Sequence, residues 1–174
     1  DFAIGPDLNW SREFIFEKFY QDPLILVVPE RYDIEPFGEH RDGLPLPLVD
    51  LRRLPEMDYI LQEETTAVRR EFDQICRDLG CRIEPKMQVT SSTIALQAAE
   101  NQMGCCVAAL GHLAFLNNRE KLKFYQISDR DYSAAGVIRL RGKKFIDEEK
   151  YCISCIKKAM KEGEQEILKR LCGV

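Results

Sequence analysis

The amino-acid sequence predicts an α/β fold, from two features of its 174 residues. Residues 59–79 and 87–103 each combine a short apolar segment, a loop with hydroxyl side chains and a helical pattern. Residues 24–28 and 105–110 are uninterrupted apolar runs, with the length of strands that are buried on both faces. Strands that alternate with helices in this way form a sheet covered by helices.

The composition indicates a globular protein without a membrane partner. Hydrophobic residues make up 45% and charged residues 31% of the chain, both ordinary for such proteins. No apolar run approaches the ~20 residues of a membrane-spanning helix and no signal-peptide pattern opens the sequence, so we expect a cytoplasmic location. The net charge of −4 and the scattered basic residues argue against nucleic-acid binding by this segment alone.

The seven cysteines are an odd number without a secretion signal, which predicts reduced thiols. Cys105 and Cys106 belong to a buried-strand pattern and are interpreted as small core residues. A redox role is the alternative for two close pairs, Cys76 with Cys81 at the end of a helix and Cys152 with Cys155 within one.

The N-terminal third of the chain reads as strands separated by loops. Residues 2–4 and 14–19 are predicted to be extended, and residues 24–28 form a buried strand. Prolines and glycines between residues 33 and 47 predict a loop, and Asp50 is placed to cap a short turn. His40 lies among carboxylates in that loop, which we interpret as solvated, so we expect no metal site and no cofactor.

The first strand–loop–helix unit begins with a strand at residues 59–61. Its loop contains the polar residues Gln62, Glu64, Thr65 and Thr66. The helix that follows has one apolar face, formed by Val68, Phe72, Ile75, Cys76 and Leu79, and Gly80 is expected to end it.

The second unit has the same form. Its strand ends near residue 89, and four consecutive hydroxyl residues follow where a helix would begin: Thr90, Ser91, Ser92 and Thr93. The helix is predicted over residues 94–103, Gly104 is expected to end it in a left-handed conformation, and residues 105–110 form the next strand.

The hydroxyl residues of the two loops have two interpretations. They cap helices, because their oxygens accept hydrogen bonds from unpaired N–H groups. The same N–H groups also bind anions, so two such helix N-termini would converge on one carboxylate if the loops lie together.

The last third of the chain is predicted as a helix-like stretch at 111–116, strands at 121–127 and 137–141, and a helix from Asp147. The apolar face of this helix is expected to include Tyr151, Cys152 and Cys155, and Gly163 is expected to break it.

An enzyme is not indicated. The chain has two histidines, and His112, at the end of a predicted strand, has no nucleophile at a diagnostic spacing. The sequence contains no G-x-S-x-G motif, phosphate-binding loop or paired metal-ligand helix.

Laid out in order, these segments resemble the effector-binding domain of LysR-type transcriptional regulators. The resemblance covers essentially the whole chain. It is carried by DFAIGP at the start, DPLILVVPERY, DLRRLPEMDYIL, TTAVRREFDQICRDLGC, QVTSSTIALQAAENQMGCCVAAL and the later GVIRLRGKKF.

That resemblance implies a type 2 periplasmic-binding-protein-like fold, with two α/β lobes joined by crossing strands and an effector in the cleft between them. Residues 23–135 would form the complete second lobe, and residues 1–22 and 136–174 a partial first lobe. The chain departs from the family pattern in lacking the winged helix-turn-helix, the linker helix and the first part of the first lobe. DNA binding would therefore require an N-terminal helix-turn-helix that this sequence does not contain.

The leading hypothesis is an effector-sensing domain that binds a small, carboxylate-bearing metabolite at the two hydroxyl loops. A cysteine-based redox sensor is the alternative, and a stand-alone solute-binding protein is a further one. We also expect a homodimer or higher homo-oligomer, because an incomplete first lobe leaves a sheet edge uncovered.

Overall fold

The computed structural model describes residues 2–6, 11–130 and 134–172. The chain forms two compact units, one made of Asp1–Asp22 with Ser133–Val174 and the other of Pro23–Tyr132. The chain therefore leaves the first unit once and returns to it.

Ten strands and three helices make up the described residues. The strands are β1 (Ala3–Pro6), β2 (Phe14–Gln21), β3 (Leu24–Pro29), β4 (Gly38–Glu39), β5 (Leu48–Val49), β6 (Tyr59–Gln62), β7 (Met87–Val89), β8 (Cys105–Ala109), β9 (Leu122–Gln126) and β10 (Ala134–Leu140). The helices are α1 (Ala67–Leu79), α2 (Ser92–Glu100) and α3 (Asp147–Cys172), and short 3-10 turns lie at Glu35–Phe37, Leu51–Arg53 and Leu110–Phe115.

The second unit is built on a mixed sheet with the strand order β4-β5-β9-β3-β8-β6-β7. Strand β6 pairs in parallel with β7 on one side and with β8 on the other. Strand β3 pairs antiparallel with both β8 and β9. Strands β6 and β7 belong to the two predicted strand–loop–helix units, and β8 is the strand that follows the second unit. The carboxyl ends of these three parallel strands meet at one edge of the sheet.

The core of the second unit lies at the centre of this sheet. All residues of β3 and β8 are buried, as predicted from their apolar runs. The predicted face of α1 packs on the same core through Val68, Phe72 and Ile75, which are at most 8% exposed. Burial of three such side chains contributes several kcal/mol to folding.

The predicted role of Gly104 is wrong. It lies between α2 and β8 without a positive φ, and the left-handed conformation is adopted by Gln102, with φ 58°. A Cβ atom at position 104 would lie 2.7 Å from the carbonyl oxygen of Asp58, which also accepts a 2.8 Å hydrogen bond from the Cys105 N–H. Glycine is needed here for close approach of two backbone segments.

The proline-rich segment at 33–47 is not entirely irregular, contrary to the prediction. Pro36 lies in the first turn of the 3-10 helix Glu35–Phe37, where a missing N–H is tolerated. The short β4 follows directly and pairs with β5. Asp50 caps the next 3-10 turn as predicted, since its carboxylate accepts a hydrogen bond from Arg52 N–H.

The first unit contains an antiparallel sheet in the order β1-β10-β2, together with α3. Gly163 does not break α3, which is 26 residues long and continues through the glycine. The predicted apolar face is also wrong: Tyr151 is 73% exposed, whereas Ile153 and Ile167 are buried. Their spacing of fourteen residues is close to four helical turns, so both lie on the same side of the helix. The helix is thus anchored by a buried side chain before Gly163 and by another after it.

Among the residues that the structure describes, no helix combines the length and the apolar character needed to cross a membrane.

We predict that Gly104→Ala lowers the free energy of unfolding by about 2 kcal/mol, because the added Cβ overlaps a backbone oxygen that cannot move away. Urea denaturation measures this change. Gly163→Ala is the matched control: its position has open space, and in a helix interior the change should stabilise by about 0.5–1 kcal/mol. Equal stability of the Gly104→Ala variant and the unmodified chain would contradict the close approach.

Candidate functional site

The predicted site residues lie at the carboxyl ends of two neighbouring parallel strands. In the register of β6 and β7, Gln62 is paired with Val89. The N–H of Glu63 donates a 3.0 Å hydrogen bond to the Val89 carbonyl, so the pairing continues one residue beyond β6. The two hydroxyl loops therefore start side by side, as ligand-binding loops do in α/β sheets.

The hydroxyl of Thr66 is fully used in capping α1. Its oxygen accepts a 3.3 Å hydrogen bond from Arg69 N–H, and its hydrogen is donated to the Glu63 carbonyl at 2.9 Å. A hydroxyl has a single hydrogen to donate. Thr66 therefore has no hydrogen left for an anion in this arrangement.

The hydroxyls at the start of α2 are arranged differently. Ser91 caps the helix by accepting a 3.4 Å hydrogen bond from Ile94 N–H. Ser92 accepts a 3.2 Å hydrogen bond from the Nε2 of Gln62. Both oxygens serve as acceptors in these bonds, so both hydrogens remain available to donate.

The other predicted loop residues are exposed around these two helix starts. Thr65 and Glu64 lie on the α1 side, and the Glu64 carboxylate is 76% exposed. Thr90 and Thr93 lie on the α2 side. The eight predicted residues thus lie on two adjacent loops, with Gln62 beneath them at the end of β6.

Gln62 is the buried centre of this arrangement, with 1% of its surface exposed. Its Nε2 donates to the Val107 carbonyl at 2.9 Å as well as to Ser92, which ties β6 to β8 and to α2. Its Oε1 is buried and has no hydrogen-bond partner among the described residues. An unpaired buried acceptor costs about 1–3 kcal/mol, so this amide is retained at the expense of stability.

Arg69 is a site residue that the sequence analysis missed. Its side chain is buried, and Nη1 donates a 3.0 Å hydrogen bond to the main-chain carbonyl of Gln62. Its Nε contacts the Asp73 carboxylate at 2.9 Å. The sequence feature that indicates this role is the spacing of Arg69 and Asp73, which are four residues apart with the arginine beside the apolar face of α1.

The two histidines have different surroundings. His40 is exposed, and no group of three or more metal-ligating side chains occurs in the described parts of the chain. His112 lies in the 3-10 turn that follows β8, the other parallel neighbour of β6, and its Nδ1 is buried without a partner among the described residues. His112 is thus close in topology to the predicted site but was not assigned to it.

A further cavity of the second unit lies elsewhere. It has a volume of about 420 Å³, and four arginines and four acidic residues line it: Arg41, Arg52, Arg53 and Arg130 with Glu39, Asp50, Asp78 and Asp129. Two of these arginines are already paired, Arg41 with Glu39 and Asp129, and Arg52 with Asp50. It contains none of the predicted residues, and its balanced charge gives no preference for an anion.

The six cysteines whose side chains are described fall into three environments. Cys105 and Cys106 are buried in β8 as predicted, and burial raises the pKa of the Cys105 thiol to about 12. Cys152 and Cys155 are exposed on α3. A further pair, Cys76 and Cys81, meets at the end of α1.

Parallel strands that end in hydroxyl-bearing helix N-termini are typical of a protein that holds a small ligand. The two-unit α/β arrangement defines its class as type 2 periplasmic-binding-protein-like. The sequence profile described as the LysR substrate binding domain matches residues 1–144. The chain therefore belongs to the LysR substrate-binding-domain family, which consists of regulatory domains and not of enzymes.

Solved structures with the same fold include three regulators of this family. The Corynebacterium glutamicum OxyR C206 mutant has a TM-score of 0.73 at 15% identity, over 100% of this chain and 52% of OxyR. The Synechocystis PCC6803 CcmR regulatory domain, in complex with 2-PG, has a TM-score of 0.71 at 14% identity, over 91% of this chain and 73% of that domain. The effector-binding domain of QuiR, in complex with shikimate, has a TM-score of 0.64 at 16% identity, over 98% of this chain and 72% of that domain.

The chain thus spans about half the length of OxyR. A comparison with curated proteins found no match by sequence. The described residues contain no helix-turn-helix, the DNA-binding element predicted to be missing.

We predict that Arg69→Met lowers the free energy of unfolding by about 2 kcal/mol, because it leaves the Gln62 carbonyl and the Asp73 carboxylate without their donor. Arg70→Met, at the exposed neighbouring position, is the control and should stay within about 0.5 kcal/mol. Urea midpoints of the two variants provide the comparison, and equal midpoints would rule out a structural role for Arg69.

Proposed function

We propose that this chain is the effector-sensing part of a LysR-type transcriptional regulator, binding a small carboxylate-bearing metabolite at the carboxyl ends of β6 and β7. The observation that carries the proposal is the contact between Gln62 and Ser92. Because the Gln62 amide occupies an acceptor position of the Ser92 oxygen, the Ser92 hydrogen is free to donate to an anion.

The start of α2 is the anion-binding wall in this proposal. Its first N–H groups carry a partial positive charge, and Ser91 and Ser92 add hydroxyl donors beside them. Thr90 and Thr93 are exposed at the same helix start and supply further hydroxyls. Charge-assisted hydrogen bonds of this kind hold a carboxylate more strongly than neutral ones.

The α1 loop has a different role in the proposal. Thr66 positions the loop, since both sides of its hydroxyl are used within it. Thr65 and Glu64 are exposed and contact the part of the effector away from its carboxylate. The Glu64 charge would select for a hydroxyl or ammonium donor there, because a second carboxylate would be repelled.

The similar structures support a small-molecule effector as a class. CcmR is in complex with 2-PG, and QuiR is in complex with shikimate. We propose that Pro23–Tyr132 is the complete second lobe that carries this wall, and that the first unit is a partial first lobe. DNA, as in full-length CbnR complexed with its target, would be a partner of the full-length regulator only.

Thermal unfolding with a panel of organic acids tests the effector proposal. We expect a hydroxy or amino acid to raise the unfolding temperature, and Ser92→Ala to weaken its binding about tenfold, equivalent to about 1.4 kcal/mol. Thr66→Val should bind nearly as tightly as the unmodified chain, although loss of its cap lowers stability by about 1 kcal/mol.

Ser154→Ala is the control for loss of a serine hydroxyl, because Ser154 donates to the Tyr151 carbonyl on α3. The proposal fails if no acid raises the unfolding temperature, or if Ser92→Ala and Ser154→Ala respond alike.

We also propose that the chain associates with copies of itself. Among the described residues, β1 is an edge strand of the sheet in the first unit, and Ile4 on β1 is 37% exposed. An exposed edge strand offers unpaired backbone groups to another chain.

Light scattering at micromolar concentration should therefore give at least twice the mass of one chain. Ile4→Lys places a charge on the β1 edge and should shift the mass towards that of a single chain if this edge forms the contact. A single-chain mass for the unmodified protein would contradict self-association.

A further inference from the structure

Two thiols meet where α1 ends. Gly80 has φ 70°, its N–H donates to the Arg77 carbonyl at 3.0 Å, and the Cys81 N–H donates to the Cys76 carbonyl at 2.9 Å. This is the capping motif in which the fourth-last helical residue contacts the second residue after the helix. Here both of those residues are cysteines, and the Cys76 thiol interacts with that of Cys81.

The backbone geometry is compatible with a disulfide. The 2.9 Å hydrogen bond from Cys81 N–H to the Cys76 oxygen limits the separation of the two Cα atoms to about 6.8 Å or less, given standard bond lengths. Disulfides join cysteines whose Cα atoms lie about 4.4–6.8 Å apart. The two residues are therefore near enough to be bridged without rearrangement of the helix end.

The two thiols differ in access. Cys76 is 4% exposed, and burial raises its pKa to about 12. Cys81 is half-buried and lines a cavity of about 410 Å³ together with Arg77 and Arg82.

The other four cysteines whose side chains the structure describes lack this arrangement. Cys152 and Cys155 are three residues apart in the continuous helix α3, where side chains at this spacing have Cβ atoms about 5–6 Å apart. A disulfide needs Cβ atoms about 3.8 Å apart. Cys105 and Cys106 are consecutive in β8, so their side chains point to opposite faces of the sheet.

We propose that Cys76 and Cys81 form a redox-modification site that a peroxide closes reversibly to an intrachain disulfide. The Cys81 thiolate attacks one peroxide oxygen, the O–O bond breaks, and Cys81 becomes a sulfenic acid while the other oxygen leaves as water or an alcohol. The Cys76 sulfur then attacks the Cys81 sulfur, and the sulfenic oxygen leaves as water with the Cys76 proton. Two thiols are oxidised and one peroxide is reduced.

The bridge would fasten the last turn of α1 to the segment that leads into β7. Cys76 follows Asp73 by three residues on α1, and Asp73 holds Arg69, so the bridged turn adjoins the support of Gln62. Bridge formation itself requires no effector, so it can be tested independently of the proposed ligand.

Peptide mapping of the full 174-residue chain tests the proposal directly. Trypsin cleaves after Arg70, Arg77 and Arg82, which separates residues 71–77, with Cys76, from residues 78–82, with Cys81. After treatment with hydrogen peroxide, alkylation in denaturant and digestion, we expect these peptides as one linked species, about 2 Da lighter than the two thiol forms together. Dithiothreitol should return both peptides in their reduced form.

Two cysteine variants distinguish the disulfide between Cys76 and Cys81 from oxidation at other cysteines. Cys152→Ser with Cys155→Ser should leave the yield of the linked peptide unchanged, whereas Cys81→Ser should leave Cys76 as a free thiol after peroxide. The proposal is overturned if both peptides from the unmodified chain are alkylated equally before and after peroxide. Recovery of Cys81 as a sulfinic or sulfonic acid, or linked to another cysteine, would overturn it as well.

Discussion

The end of β6 is held by hydrogen bonds from several directions, and the arrangement of the candidate site depends on it. The Gln62 side chain donates to Val107 in β8 and to Ser92 at the start of α2. Its main-chain carbonyl accepts from Arg69 in α1. One residue therefore connects a neighbouring strand and both helices, and each loop begins from a fixed point.

This constraint gives chemically similar residues different roles. Thr66 and Ser92 both carry a hydroxyl at a helix start, but Thr66 donates its hydrogen within its own loop, whereas Ser92 accepts one from Gln62. Only the second arrangement leaves a hydrogen for a ligand. The difference comes from partners and not from residue type.

Much of the fold could be predicted from the sequence because it depends on local patterns. The apolar runs of β3 and β8 and the helical face of α1 follow directly from residue spacing. The predictions for Gly104 and Gly163 were wrong, because the role of a glycine depends on its surroundings. Gly104 allows close approach to the Asp58 backbone, whereas Gly163 has no neighbouring atom that requires a glycine. The spacing of Arg69 and Asp73 indicates their ion pair, but the bond from Arg69 to the Gln62 carbonyl could not be predicted, because the position of that carbonyl is set by the end of β6.

The length of α3 has a consequence for how the first unit responds to its solvent. A 26-residue helix extends about 39 Å, yet Ile153 and Ile167 are its only buried apolar residues among those described. Its exposed length is stabilised by ion pairs within single turns, such as Glu166 with Arg170 and Asp147 with Lys150. Such pairs weaken as ionic strength rises. The helix is therefore a region of low local stability, whose ends unfold more readily as the salt concentration rises, while the sheet of the second unit remains folded.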